Sequence, residues 1–222
     1  GVYTLIRVLF NVIGMTALLG GVIITIGVLS MTIGVFLAVG QWDLKRLLAY
    51  HSISQMGYVV LGIGLGGHII ASNGNPAIAA LAILGGLFHL ANHSVFKSLL
   101  FLCSGSIEYA TGTRQLKKMG GLIEKLPATG FTCIVASLSI AGVPPFNGFW
   151  SKLVIILAAF QAGYYSLAAI TILVSFVTLV SFLKVMRYAF LGSLPETLQS
   201  VKESPSSMAF SMEFRLIIAI LL

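Results

Sequence analysis

Hydrophobic positions in this chain form long unbroken runs. They show neither the alternation of strands nor the one-sided stripe of surface helices. Runs at 17–40, 53–70, 77–106 and 166–191 each approach or exceed the ~20 apolar residues that a helix needs to cross a bilayer. Only helices and closed barrels span lipid, and without alternation helices are predicted. A fifth run, 128–162, is too long for one simple span and is interrupted at Pro144, Pro145 and Gly148. Residues 1–16 are expected to end a preceding span and turn. Residues 192–208 are expected to form a loop, and 209–222 to start a further span. Gly1 opens without the n-region of a signal peptide, and the chain begins and stops in apolar stretches. That pattern predicts part of a longer polypeptide.

Composition removes the soluble alternative. Apolar residues make up 58% of the chain and charged residues 9%, against about 25% charged in a soluble domain. Mean hydropathy is +1.02. The 24 glycines fit membrane helices. The net charge of +7 points to basic membrane loops and not to nucleic acid, which is excluded as a partner. Cys103 and Cys133 make no CxxC or zinc spacing and read as small buried residues. There is no P-loop, Rossmann glycine pattern, HExxH or GxSxG. No cofactor and no bond-breaking chemistry are therefore expected in this chain.

Loop charges set the topology. One set of connections holds Lys45 and Arg46, then Arg114, Lys117, Lys118 and Lys125, then Lys184, Arg187, Lys202 and Arg215. The other set, around 67–76 and 161–166, holds no Lys or Arg. This split requires 128–162 to cross once, as a broken helix and not a hairpin, with Gly163 turning the chain on the outer face. The basic loops face the cytoplasm or its equivalent. Proline removes a backbone donor and clashes with the preceding turn. Non-helical backbone at membrane depth persists where it is buried in protein or lines a wet cavity. Discontinuous helices build ion sites in transporters; a packing kink is the plainer alternative.

Four basic or titratable side chains fall inside the runs, where a charge costs about 2.5–3.5 kcal/mol or more. His89, His93 and Lys97 are spaced i, i+4, i+8, a ladder on one helix face with steps of about 6 Å. Imidazole titrates near neutrality and a desolvated lysine can approach it, which is chemistry for proton relay. Asn92, Ser94, Ser98 and Ser104 are able to hold water beside it. Packing histidines, a two-ligand metal site or an axial haem ligand are the alternatives. Lys152 follows the break at the start of the second half-helix. It would meet either that helix's positive end or the carbonyl end of the first half, or snorkel to an interface. Lys45 and Arg46 are either loop charges or a cytoplasmic mouth that admits water or docks a partner. His68 is expected to be exposed in the outer loop.

Three stretches resemble a known family. They are Asp43-Leu44-Lys45-Arg46-Leu47-Leu48-Ala49-Tyr50 with Ser52-Ile53-Ser54-Gln55-Met56-Gly57-Tyr58, the helix from Leu87 through His89 and His93 to Leu102, and the segment from Gly142 to Lys152. Lys118-Met119-Gly120-Gly121-Leu122 adds a loop between them. The chain resembles the antiporter-like membrane subunits: proton-pumping subunits of respiratory complex I, Mrp-type Na⁺/H⁺ antiporter large subunits, and energy-converting membrane hydrogenase relatives. The resemblance implies an all-α polytopic fold of about fourteen spans in two inverted five-helix repeats. This chain would be the C-terminal half, with one discontinuous helix. The first repeat, with its intramembrane Glu and second broken-helix Lys, is missing. His51 stands where Ser is usual, at a possible cytoplasmic mouth.

The resemblance further implies that His89, His93 and Lys97 form a central hydrophilic axis and that Lys152 serves the second half-channel. The function expected is proton, or Na⁺/H⁺, translocation driven by redox chemistry in partner subunits, which would hold the redox cofactors. Two charges 8 Å apart interact by roughly 2 kcal/mol at an effective dielectric of ~20, enough for one protonation to bias the next. The expected setting is an energy-coupling membrane, bacterial or archaeal, within a large hetero-oligomeric complex. A haem- or quinone-binding electron-transfer subunit and a passive membrane scaffold are the competing functions.

Overall fold

A computed structural model describes residues 1–221. Helix α1 (Val2–Arg7) widens into π-helical turns at Val8–Ile13. Thr16 then starts α2 (Ala17–Val39) by accepting from Leu19 N at 3.2 Å. Helix α3 (Leu44–Ala71) begins nine residues before the apolar run at 53, because Asp43 caps it by accepting from Arg46 N. Its polar first turns hide a buried stripe of Leu44, Leu47, Leu48 and His51. Helix α4 (Pro76–Thr111) carries Asn75 as its cap and Pro76 in its first turn, and ends at left-handed Gly112. Its 36 residues extend about 54 Å, beyond the ~30 Å hydrocarbon layer, so the apolar run 77–106 understates it.

Two half-helices follow, α5 (Pro127–Ala141) and α6 (Asn147–Gln161), then α7 (Tyr165–Val185) and α8 (Ser206–Leu221). Both α4 and α7 pack along α5 and along α6 in turn. The halves meet each other mainly at the break, where Ser139 Oγ donates to Asn147 Oδ1. They therefore make one discontinuous helix. The Pro144–Pro145 bond within the break is cis. Helix α7 runs on as π-helical turns at Met186–Phe190. Lys184 is not in a loop but in the last turn of α7, where its Nζ donates to Val39 O and Gln41 O at 2.6 Å each. The segment 192–208 holds a 3₁₀ turn, Glu196–Leu198. Helix α8 starts three residues before 209, with Pro205 O accepting from Met208 N at 2.9 Å.

Helices α2 and α3 approach closely through small residues. A Cβ built on Gly27 would lie 2.7 Å from Leu61 N, and one on Gly34 2.7 Å from Ser54 N. Apolar clusters close both ends of the bundle. Leu47, Phe96, Leu99, Leu116, Leu122 and Phe190 pack at the basic end. Leu65, Ile69, Ala79, Ala82, Ala158 and Ala159 pack at the other. Buried polar side chains lie between them.

Candidate functional site

The polar layer is assembled from α3, α4, α6 and α7. His89 on α4 is 0% exposed. Its Nδ1 lies 2.9 Å from Ser151 Oγ on α6 and its Nε2 lies 3.2 Å from Gln55 Oε1 on α3. Both nitrogens are engaged, so no lone pair is left free for an iron. Ser151 has one hydroxyl proton and two acceptors within reach, His89 Nδ1 and Gly148 O at 3.2 Å. A protonated Nδ1 donates to Ser151, whose proton then goes to Gly148 O; an unprotonated Nδ1 takes the Ser151 proton instead. Gln55 serves either tautomer by turning its amide, and its Nε2 has no other partner.

His93 lies one turn towards the basic end. It is half-buried, edge-on to Phe96 at 5.6 Å, and its Nε2 is unpartnered. Lys97, 6% exposed, donates to Leu48 O on α3 and lies 5.6 Å over the Phe101 ring. Asn92 Nδ2 donates to Asn147 O at 2.9 Å, tying α4 to the break. Asn92 Oδ1 and Asn147 Nδ2 remain buried without partners. Buried polar atoms are nearly always paired, so these orphans leave hydrogen-bonding capacity for water.

Lys152 on α6 is 3% exposed. Its Nζ donates to Ile140 O at 2.7 Å, one of the last carbonyls of α5, and lies 4.8 Å over the Tyr58 ring. A helix C-terminus leaves such carbonyls without amide partners and favours a cation. Of the placements open from sequence, the ammonium takes the carbonyl end. Gly142, at φ +81, makes room: a Cβ there would sit 3.0 Å from the Lys152 stem. Gly148 is equally confined, since its Cβ would overlap Ser139 O. A cavity of about 290 Å³ opens over Lys152, lined by Gly142, Phe149, Leu153, Ile156, Ile172 and Ser175. That is room for several waters at ~30 Å³ each. Among the described residues no carboxylate is buried in this layer.

The other candidates fall elsewhere. Lys45 pairs with Glu108 at 2.5 Å at the basic end, where Arg114 also reaches Asp43 at 3.4 Å. Arg46 is exposed. His51 is separated from them: it is 0% exposed, two turns inside, with Nε2 2.9 Å from Ser181 Oγ and its ring 4.8 Å from Phe182. His68 is not an exposed loop residue. It lies in α3, half-buried, with Nδ1 2.8 Å from Ala17 O. Gln55, Tyr58, Ser151 and Ser181 are layer residues that sequence spacing did not single out. Their only sequence signal is a polar group at i, i+4 or i+7 from another inside an apolar helix.

The chain matches, over residues 1–178, the family described as NADH:quinone oxidoreductase/Mrp antiporter, transmembrane. It is 41% identical over 169 residues to a Na⁺/H⁺ antiporter subunit of Alkalihalophilus pseudofirmus, covering 76% of this chain and 32% of that protein. It is 34% identical over 200 residues to an NADH-quinone oxidoreductase subunit of Desulforudis audaxviator, covering 87% and 37%. The Mrp complex structure from Dietzia sp. superposes with a TM-score of 0.82 at 27% identity, covering 93% of this chain and 44% of that one. The chain thus spans under half the length of each of these relatives. Four helices long and apolar enough to cross a membrane, one broken helix and a buried His/Lys layer agree with that match: the chain belongs to the NADH:quinone oxidoreductase/Mrp antiporter transmembrane family of membrane antiporter-like subunits.

Proposed function

We propose that this chain is the ion-translocating part of a membrane subunit, moving protons, or exchanging protons for Na⁺, through the layer that joins Lys97, His93, His89 and Lys152. The observation that carries this is Lys152. Its ammonium is buried at the helix break in the bundle's core, bonded to a carbonyl that the break frees, and open to a cavity. A structural lysine would gain more from a carboxylate; an acceptor without charge leaves the ammonium free to lose its proton and take it back. The Lys97 ammonium, on Leu48 O, is held the same way. His89 lies on the same layer, bonded to Ser151 and Gln55, and each of its nitrogens can receive or give a proton without leaving a partner stranded.

Neither lysine nor the histidines supply a driving force. That force would come from redox chemistry, or from an existing ion gradient, in other membrane subunits of a hetero-oligomeric complex in an energy-coupling membrane, and the redox cofactors would reside there. The test uses Lys152→Met in the full-length subunit of the assembled complex, reconstituted in liposomes, with internal pH followed with and without Na⁺. Transport is expected to stop while the complex still assembles. Dependence on Na⁺ would favour exchange over pumping, and unchanged transport would leave the chain a scaffold.

A further inference from the structure

The contact between α3 and α7 carries polar groups beyond the His89–His93–Lys97 axis, with which it shares Gln55. On α3, His51, Gln55 and Tyr58 are spaced i, i+4, i+7 and share one face. On α7, Thr171, Ser175, Thr178 and Ser181 recur at helical spacing and share the facing side. Two rungs join the helices: His51 Nε2 lies 2.9 Å from Ser181 Oγ, and Tyr58 Oη lies 3.0 Å from Ser175 Oγ. Between the rungs sit the fully buried Thr178 and the unpartnered Gln55 Nε2. His51 Nδ1 is also buried without a partner.

The ends of this seam meet the two buried lysines. Leu48, whose carbonyl receives Lys97 Nζ, is one turn from His51 on α3. At the other end the Tyr58 ring lies under Lys152 Nζ, and Ser175 lines the Lys152 cavity. From Leu48 to Tyr58 the helix advances about 15 Å.

We propose that this seam is a second proton wire between the Lys97 end of the layer and Lys152, with His51 as its relay, running beside the His93–His89 route. It rests on the ion-translocation function proposed above. A proton leaving the Lys97 ammonium arrives on His51 Nδ1. The ring then gives its Nε2 proton to Ser181 Oγ while the Ser181 hydroxyl proton passes, through water in the seam, to Thr178 and Ser175 and on to the unprotonated Lys152 amine, and tautomer exchange resets the ring. Imidazole suits this because it accepts on one nitrogen while donating from the other. The charges that face the ring are Lys97 on α4, Lys152 on α6 and Lys184 on α7, and Phe182 covers one ring face.

The test compares His51→Gln, His93→Gln, Ser181→Ala and their pairs in the assembled complex in liposomes. With two parallel routes, His51→Gln and His93→Gln each keep roughly half of the transport rate. The double variant falls on the order of 10²-fold. Ser181→Ala repeats the His51→Gln effect and adds nothing to it. A packing role for His51 would instead lower the amount of assembled complex and leave transport per complex unchanged. If His51→Gln does not assemble, Ser181→Ala with His93→Gln makes the same comparison. A double variant no slower than His93→Gln overturns the second wire. Transport by Lys152→Met at the normal rate overturns the underlying function instead, so the two failures are distinct.

Discussion

Lys152 shows how one side chain takes its meaning from backbone. The broken stretch of helix exposes carbonyls at the end of α5, and the ammonium sits on one of them. The fit depends on absent side-chain atoms. Gly148→Ala would push a methyl group into Ser139 O and displace the neighbouring Ser139–Asn147 bond. It is expected to cost about 1–3 kcal/mol, seen as a lower melting temperature in detergent, with slowed transport. Gly21→Ala, with open space around its Cβ, should leave both unchanged. At this scale sequence periodicity placed His89, His93 and Lys97 on one face, because helical spacing alone decides that. It did not find Gln55 or Ser151 beside His89, which lie 34 and 62 residues away on other helices. Nor did the sequence place His51 inside: the resemblance put it at a possible cytoplasmic mouth, whereas the stripe from Leu44 to His51 turns the ring inward.

Among the elements, α5 depends on a residue far along the chain. Glu203 accepts from Ala128 N at 3.0 Å, Thr129 N at 3.4 Å and Thr129 Oγ1 at 2.7 Å. Its carboxylate therefore satisfies the start of a helix whose own cap position, Leu126, has no side chain to do so. Glu203→Ala should cost about 1 kcal/mol of local stability. Hydrogen exchange at the Ala128 and Thr129 amides would speed up roughly fivefold, with α4 unaffected; unchanged exchange would remove the cap from the account. This pairing joins positions 75 residues apart and has no trace in local sequence. The break between α5 and α6 was legible, because adjacent prolines stop any helix. The start of α3 was not, because capping by Asp43 and a buried stripe of leucines carry the helix into a polar segment that hydropathy treats as loop.

For the whole molecule, the basic connections gather at one end and the uncharged turns at the other, which predicts that the basic end faces the cytoplasm or its equivalent. Two exposed positions test this: Lys118→Cys at the basic end and Ser72→Cys at the other. A membrane-impermeant maleimide should label them from opposite sides, while native Cys103 and Cys133 stay buried and unreactive. Labelling of both from one side would contradict the crossing of α4, which alone separates them. Among the described residues, the layer between the ends is made of bases with no buried acid to balance them. Two positive charges ~10 Å apart repel by roughly 1.7 kcal/mol at an effective dielectric of ~20. The interior therefore behaves as a capacitor of very small capacity: each charge admitted raises the voltage against the next. On the proposed function, current through it would come in single quanta, and a charge brought up by a neighbouring subunit would act against the one it holds.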